Sequence, residues 1–295
     1  MTGVPDAGAH GGDGEAVALA LGLDPETVLD LSQSLNPFAP DVAALVARHL
    51  DAVGRYPEPG RATAATAEAL GVDAERLVLT NGGSEAIALV AGALGGTVVS
   101  EPEFSLHPRS GDGPRWRSNP HNPSGVLAPS GERVEVWDEA FYPLATGEWT
   151  RGDDGTVVVG SLTKVFACPG LRIGYVLADD ARSLTARQPA WPLNSLALAA
   201  LPDLLALADL KVWRDAIAER RGELVALLEG HGLAATSADA PWVLVERPGL
   251  RAALAPHGVV VRDCTSFGMP EHVRIAVPDE AGLARLGEVL SCTVR

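Results

Sequence analysis

The sequence predicts an α/β protein in which a large domain with a mostly parallel sheet precedes a smaller C-terminal α/β domain. Short valine-rich segments alternate with segments of helical pattern along most of the chain. The valine-rich segments show little alternation between apolar and polar residues, which is typical of parallel strands buried on both faces. After Asp180 the pattern changes to a long helical segment followed by short strands, which indicates a second domain.

The large domain is predicted to begin with a helix over residues 39–54, and a second helix over residues 84–96 ends on glycines. Its predicted strands cover residues 75–83, 97–104, 132–141, 156–163 and 173–179. Between them, residues 105–118 have room for one strand, RWRS. We therefore expect part of the usual helical cover of the sheet to be absent.

The second domain is predicted to open with a long helical segment over residues 192–232. Strands over 242–246, 259–263 and 272–277 follow, and a helix over 279–290 closes the chain. The expected division is residues 1–40 as an N-terminal segment packing on the small domain, 41–190 as the large domain, and 191–295 as the interdomain helix and small domain.

Composition excludes several classes of function. The chain has 295 residues, a hydrophobic fraction of 46% and a net charge of −15; such acidity argues against a nucleic-acid partner. The N-terminus lacks the basic and apolar regions of a signal peptide, and no apolar stretch is long enough to cross a bilayer. Three cysteines, Cys168, Cys264 and Cys292, fit neither a zinc site nor a disulfide framework. We expect a cytoplasmic protein without a metal site or a membrane contact.

The segment GSLTKVFACPGLRIGY, residues 160–175, contains the central candidate residue. Lys164 follows a predicted strand, whose end faces the crevice of an open α/β sheet. A lysine there forms a Schiff base if its surroundings keep it partly unprotonated; taken alone, it is as easily a solvated surface residue. SLTK also matches the S-x-x-K motif of penicillin-recognising hydrolases, but the S-D-N and K-T-G strings that those enzymes require do not occur.

Further side chains supply what a pyridoxal phosphate ring requires besides a lysine. Phe104 ends a predicted strand and offers a ring for stacking. Asn122, in NPHNPSG, is a candidate donor to the ring oxygen, and Asp138, in VWDEAF, is a strand-end carboxylate for the ring nitrogen.

Phosphate donors are present as well. The turn NGGSEA, residues 81–86, opens a helix, so its amides and the Ser84 hydroxyl can hold a phosphate. Ser161 and Arg172 flank Lys164, and the guanidinium can add a charge-assisted hydrogen bond.

Together these motifs resemble those of fold-type I pyridoxal-phosphate enzymes of the class I/II aminotransferase superfamily. Within it the chain is most similar to the threonine-phosphate decarboxylases of cobalamin biosynthesis, which are relatives of the histidinol-phosphate aminotransferases. The resemblance rests on HGG, DLSQSLNPFAP, RYPEP, NGGSEA, NPHNPSG, DEAF, SLTKVFACPGLRIGY, VRDC and VRIAV. It implies the pyridoxal-phosphate-dependent transferase fold, with a large sheet of the seven-stranded type, and a homodimer.

The resemblance also implies roles at the cofactor. Lys164 would form the internal aldimine, Asp138 would keep the ring nitrogen protonated, Asn122 would bond the phenolate oxygen, and Phe104 would stack on the ring. The phosphate would be held by Gly83, Ser84, Ser161 and Arg172, with Tyr56 reaching it from a second subunit.

At the substrate end the resemblance implies that Arg274 takes the carboxylate, while His10 and Arg262 favour a small phosphorylated amino acid. Ser34 stands where the decarboxylase relatives usually carry an asparagine. Phe141 stands where many aminotransferases carry a tyrosine and the decarboxylases carry phenylalanine. The remaining candidates are expected to be structural or solvated: His107, His121, His231, His257 and Cys168.

The expected activity is therefore pyridoxal-phosphate-dependent decarboxylation of L-threonine O-3-phosphate to aminopropanol phosphate. Two alternatives stay open at this point. One is a class I/II aminotransferase of the histidinol-phosphate type, which would need a 2-oxo acid as second substrate. The other is a non-catalytic, shortened relative that binds the cofactor, supported only by the short region 105–137.

Overall fold

Two β-sheets with helices packed against them form the part of the chain that the structure, a computed structural model, describes: residues 3–152 and 156–293. The strands are, in chain order, β1 (Leu29–Leu31), β2 (Leu77–Asn81), β3 (Thr97–Val98), β4 (Arg115–Ser118), β5 (Val136–Asp138), β6 (Val157–Ser161), β7 (Ile173–Leu177), β8 (Ala235–Ser237), β9 (Trp242–Glu246), β10 (Val259–Asp263) and β11 (His272–Ala276).

The α-helices of the described residues vary from one turn to six. They are α1 (Gly14–Leu21), α2 (Val42–Ala47), α3 (Gly60–Leu70), α4 (Gly82–Leu94), α5 (Tyr142–Thr146), α6 (Leu162–Val165), α7 (Ala181–Thr185), α8 (Ser195–Ala206), α9 (Leu210–Gly230), α10 (Leu250–Leu254) and α11 (Glu280–Thr293). The predicted helix 39–54 is two shorter pieces, α2 and a 3-10 helix over Leu50–Gly54.

The larger sheet has the strand order β2-β7-β6-β5-β4-β3. Strands β3 to β6 run parallel, and β7 is antiparallel to both of its neighbours, so the sheet is mostly parallel, as predicted. Both faces are buried: Val158 belongs to the core on one face and Val159 to the core on the other. Parallel pairing brings the carboxyl ends of β4, β5 and β6 to one edge, where the register pairs Ser118 with Asp138.

The larger sheet has six strands among the described residues, one fewer than the seven-stranded type implied by the resemblance. The chain is short at this point: residues 99–114, between β3 and β4, form turns and contain no named helix or strand. RWRS forms β4, which confirms the single strand predicted between residues 105 and 118.

The smaller sheet has the order β1-β10-β11-β9-β8. Its three predicted strands form as β9, β10 and β11. Strand β1, from the N-terminal segment, pairs parallel with β10, with Leu29 opposite Val259. This pairing carries the loop that follows β1 toward the edge of the larger sheet.

The long helical segment predicted over residues 192–232 forms two helices, α8 and α9. Asp209 caps the start of α9, its side chain accepting a hydrogen bond from the Val212 amide. Helix α8 buries Leu198, Leu201 and Leu204 in the core of the larger sheet. Helix α9 begins in the same core with Leu210 and Trp213 and continues into the core of the smaller sheet with Leu224, so α9 joins the two cores.

Among the residues that the structure describes, no helix combines the length and the apolar character needed to cross a membrane. The same residues contain no group of three or more His, Cys, Asp or Glu side chains that could hold a metal ion.

Candidate active site

A cavity of about 300 Å³ lies where the edge of the larger sheet meets the smaller sheet. This volume is at the lower end of the range for small-molecule sites. It is lined by every residue predicted for the site except Tyr56, namely His10, Ser34, Gly83, Ser84, Phe104, Asn122, Asp138, Ser161, Lys164, Arg172, Arg262 and Arg274.

Lys164 reaches this cavity from helix α6, which begins directly after β6. Its backbone is anchored by Asn36, whose amide N–H donates to the Lys164 carbonyl at 3.1 Å and whose side chain donates to the Val165 carbonyl at 2.9 Å. Burial, together with the positive charges of Arg274 and Arg172, lowers the pKa of Lys164 to about 8, although Asp138 opposes this. A substantial fraction of neutral, nucleophilic amine is therefore present near neutral pH.

An anion site lies at the start of helix α4, where no side chain caps the free backbone N–H groups. Gly82 has φ of +76°, and a Cβ there would lie 2.6 Å from Arg172 Nη2. The guanidinium therefore lies against the helix start, a position that only glycine allows. Among the described residues, the Arg172 guanidinium has no hydrogen-bond or ion-pair partner. Gly83 also approaches Ser161, since a Cβ on Gly83 would lie 3.2 Å from that of Ser161.

Asp138, at the end of β5, is 7% exposed. Its Oδ1 accepts a hydrogen bond from the Ala140 amide at 3.0 Å, and its Oδ2 lies 2.9 Å from His107 Nε2. His107 is itself buried and follows Phe104 by one turn, its amide donating to the Phe104 carbonyl at 3.1 Å. His107, which was expected to be structural or solvated, is therefore a buried partner of Asp138 behind the cavity wall.

These features fit the groups of pyridoxal phosphate. The helix start with Ser84, Ser161 and Arg172 suits a phosphate, the Asp138 carboxylate suits a pyridine nitrogen, and Lys164 suits an aldehyde carbon. The main evidence for this fit is the position of the Arg172 guanidinium. It lies against the start of helix α4, which has no side-chain cap, and it has no protein partner in the described residues.

At the opposite end of the cavity lies Arg274, on β11 and buried. Its Nη1 donates to Asn122 Oδ1 at 2.6 Å, and its guanidinium lies 4.4 Å from the ring centroid of Trp242. The Nε of Arg274 and the Oγ of Ser34 are buried and have no hydrogen-bond partner in the structure. Buried polar atoms of this kind are costly unless something satisfies them, which suits a polar substrate group beside Arg274.

Arg262, in contrast, is engaged by the protein itself. Its Nη1 donates to the Gly8 carbonyl at 2.8 Å, and its Nη2 donates to the Ala9 carbonyl at 2.6 Å and to Ser266 Oγ at 2.7 Å. These bonds hold the N-terminal segment over the cavity mouth, so that the His10 ring lies 5.6 Å from that of Phe104. Burial and the nearby Arg262 charge lower the pKa of His10.

Tyr56 is the predicted residue that the structure does not bring to the cavity. It is 77% exposed, and its ring stacks against that of Trp191 at a centroid distance of 4.6 Å. In this chain it lies on the surface, so contact with a cofactor would require a second subunit.

Three residues that sequence reasoning missed also build the site: Asn36, His107 and Trp242. Asn36 lies within DLSQSLNPFAP, one of the motifs on which the family resemblance rests. That motif was the signal by which Asn36 could have been found. His107 and Asp138 are 31 positions apart, and no local pattern connects them. They meet because Ser118, at the end of β4, pairs with Asp138 and donates to Glu103 in the segment that carries His107.

The charge of His107 leads to a prediction about pH. Burial is the largest influence and lowers its pKa, but the hydrogen bond to Asp138, the contact with Glu103 at 3.5 Å and the two negative charges outweigh it and raise the pKa from 6.5 to about 9. The folded chain therefore holds this proton more tightly than the unfolded chain. The resulting stabilisation is complete below pH 6.5 and is lost as the pH rises to about 9.

Between pH 6.5 and pH 8 we expect the free energy of unfolding of the cofactor-free chain to fall. The contribution of His107 to this fall is about 2 kcal/mol. Above pH 8 the lowered pKa of Lys164 acts in the opposite direction, because the folded state then favours the neutral amine that forms. Urea denaturation at a series of pH values measures the effect, and His107→Asn should flatten the curve in this window. An unchanged slope in that variant would show that His107 is not charged in the folded chain.

Comparisons with known proteins agree with this geometry. A family model described as aminotransferase class I and II matches residues 116–290. The histidinol-phosphate aminotransferase of Halorubrum lacusprofundi is 27% identical, and the match covers 94% of this chain and 93% of that protein.

Two solved structures share the fold. Histidinol-phosphate aminotransferase from Sinorhizobium meliloti, in complex with pyridoxal-5'-phosphate, has a TM-score of 0.80 at 17% identity over 94% of each chain. L-threonine-O-3-phosphate decarboxylase from Porphyromonas gingivalis has a TM-score of 0.76 at 22% identity, covering 90% of this chain and 99% of that chain. The predicted transferase fold is thereby confirmed.

Proposed function

This chain belongs to the class I and II aminotransferase family and is a pyridoxal-phosphate-dependent enzyme, and we propose that it is an aminotransferase of the histidinol-phosphate type. The observation that carries the proposal is the supply of cations at the substrate end of the cavity, where the buried Nε of Arg274 has no partner and the two Nη atoms of Arg262 are already bonded to the Gly8 and Ala9 carbonyls and to Ser266. The curated relative from Halorubrum lacusprofundi, a histidinol-phosphate aminotransferase, adds support.

In this proposal the cavity residues divide into two groups. Lys164, Asp138, Asn122 and Phe104 would surround the ring of pyridoxal phosphate. Its phosphate would be held by Gly83, Ser84, Ser161 and Arg172. Asn122 can contact both the cofactor and the substrate arginine. Its amide oxygen accepts a hydrogen bond from Arg274, and its NH₂ group remains available as a donor to the cofactor.

When bound, pyridoxal phosphate supplies an electron sink for the bond that breaks at the substrate carbon. The protein supplies the proton transfers and the orientation. Lys164, with its pKa lowered to about 8, can take a proton at Nζ and return it near neutral pH. Asp138 would hold a proton at the ring nitrogen, and Arg274 would fix the substrate relative to the ring.

The number of available cations distinguishes the two phosphorylated substrates. Threonine phosphate carries a carboxylate as well as a phosphate, whereas histidinol phosphate carries a phosphate only. Arg172 is placed for the cofactor phosphate, and Arg262 donates to the Gly8 and Ala9 carbonyls and to Ser266. Arg274, whose Nε has no partner, then remains for the substrate, which suits the single anionic group of histidinol phosphate in the first half-reaction.

Decarboxylation of threonine phosphate, the activity expected from the sequence, stays as the second candidate because of Phe141. This residue stands where many aminotransferases carry a tyrosine. Its ring packs edge-on against Trp242 at 4.8 Å, and Lys164 Nζ lies 5.9 Å from its centroid. The non-catalytic alternative loses its support, because the residues on either side of the short region 105–137 line the cavity.

An assay with each substrate separates the two activities. We expect glutamate to form when the protein, loaded with pyridoxal phosphate, receives histidinol phosphate together with 2-oxoglutarate. Threonine phosphate alone should give no amine phosphate. Release of carbon dioxide and aminopropanol phosphate from threonine phosphate without a 2-oxo acid would favour the decarboxylase. The Lys164→Ala protein serves as the blank for both reactions.

We further propose that the chain acts as a homodimer. Tyr56, Trp191, Val53 and Leu50 are all more than half exposed, which is unusual for large apolar side chains in a monomer. Tyr56 could then reach the phosphate site of the second subunit. Sedimentation velocity measures the assembly state, and a fully active monomer would contradict the proposal.

A further inference from the structure

A chain of three ionisable side chains runs from the cavity wall into the large domain. Asp138, at the wall, contacts His107, and His107 contacts Glu103; their exposures are 7%, 2% and 2%. Asp138 Oδ2 lies 2.9 Å from His107 Nε2, and Glu103 Oε2 lies 3.5 Å from His107 Nδ1. Glu103 does not line the cavity, so the proposed function assigns it no role.

Glu103 is held as a carboxylate by donors around it. Ser118 donates to it from both its backbone N–H, at 2.8 Å, and its hydroxyl, at 2.7 Å. The Phe104 amide adds a third hydrogen bond at 3.1 Å. Burial opposes the charge of Glu103, but the contact with His107 and the Ser118 bonds together lower the pKa of its carboxyl. A buried carboxylate with this many donors remains ionised.

With a carboxylate on each side, His107 has a hydrogen on both ring nitrogens. A bare nitrogen lone pair facing either carboxylate would be repelled, whereas an N–H is attracted. The other neighbours do not change this. The rings of Phe104 and Trp116 are neutral, and the Arg109 guanidinium, which contacts the His107 carbonyl, is paired with Glu101 at 2.8 Å. Lys164 lies beyond Asp138, on the cavity side.

A charged His107 lies 2.9 Å from Asp138 Oδ2 and partly neutralises the negative charge that this carboxylate presents to the cavity. Without the Glu103 charge, burial would favour neutral His107, and Asp138 would present its full negative charge to a protonated ring nitrogen. We propose that Glu103 is a positioning residue: acting through His107, it sets how firmly Asp138 holds a proton on the ring nitrogen of bound pyridoxal phosphate. This inference rests on the proposed function, in which Asp138 faces that nitrogen.

The first test uses the cofactor-free chain and follows the imidazole signals of its seven histidines by NMR, with His107→Asn identifying the one in question. Glu103→Gln keeps the size of the side chain and removes its charge. We expect it to lower the pH at which His107 titrates by about one to three units. Glu103→Asp should restore most of the shift. Asp112→Asn, which removes an exposed carboxylate of the same segment between β3 and β4, should leave the titration unchanged.

The second test uses protein loaded with pyridoxal phosphate that carries ¹⁵N at the ring nitrogen. At pH 8, Glu103→Gln should move the ring signal toward that of a fully protonated pyridinium, and Asp112→Asn should not move it. The proposal is overturned if His107 titrates identically in Glu103→Gln, or if its titration shifts while the ring signal stays in place. Failure of the cofactor to attach to Lys164 would instead count against the proposed function, and the first test would still stand.

Discussion

Replacing Lys164 by alanine is expected to abolish covalent attachment of pyridoxal phosphate and to lower the turnover number about 10⁴-fold, because both nucleophile and proton carrier are lost. The chain contains two lysines, Lys164 and Lys211. Lys164 faces the cavity, whereas the Lys211 side chain is 74% exposed. Borohydride reduction of the loaded protein, followed by mass spectrometry of its peptides, therefore has a single expected site of labelling.

Two variants make this result specific. Lys211→Ala should retain both the label on Lys164 and full activity, since its ammonium group reaches only the Glu148 carboxylate, at 4.0 Å. Lys164→Arg keeps a positive charge in the cavity but cannot form the adduct, so it should be as inactive as the alanine variant. A reducible adduct that persists in Lys164→Ala would show that another amine is used.

The second large effect is expected from Asp138→Asn, which should lower the turnover number about 10³-fold. The carboxylate supplies a buried negative charge toward the cavity, and an electrostatic group so placed is commonly worth two to three orders of magnitude, about 10²–10³. The variant also removes one of the two carboxylates that keep His107 charged. Steady-state kinetics of the loaded protein measure the loss.

Asp112→Asn is the matched control, because Asp112 is exposed in the turn segment between β3 and β4 and should tolerate the change. The mechanism also predicts a second readout: His107 should titrate at lower pH in Asp138→Asn than in the unmodified chain. A variant that keeps its activity, or that loses activity only by unfolding, would remove Asp138 from its assigned place beside the ring nitrogen.

The region between β3 and β4 is short, but side-chain hydrogen bonds keep the segment that carries Phe104 in place. Arg109 crosses these turns and donates to the carbonyls of Glu103, Phe104, Ser105 and His107. On the other side, His121 bridges the Pro102 carbonyl and the Ser124 hydroxyl, each at 2.7 Å. Side-chain bonds therefore hold the segment that carries Phe104 where helices would otherwise cover it.

Local patterns were sufficient for some parts of the fold and insufficient for others. The valine run of β6, the apolar segment of β7 and the glycine turn before α4 were identified correctly, because a buried strand and a helix start each leave a signal within a few residues. The short helices α1 and α3 and strand β1 were not identified. β1, of three residues, is a strand only because it pairs with β10, far away in the chain.

The sequence by itself determined the family, the fold and the identity of the residues in the cavity, because each motif is local and its chemistry follows from residue types. Only the tertiary structure decided what those residues are free to do. Arg262 was expected at the substrate end; it lines the cavity and also donates to the Gly8 and Ala9 carbonyls. His107 was expected to be structural or solvated; it is buried and contacts Asp138. Both outcomes depend on contacts between distant segments, and the hydrogen-bond partners and charge of a buried group are set by such contacts.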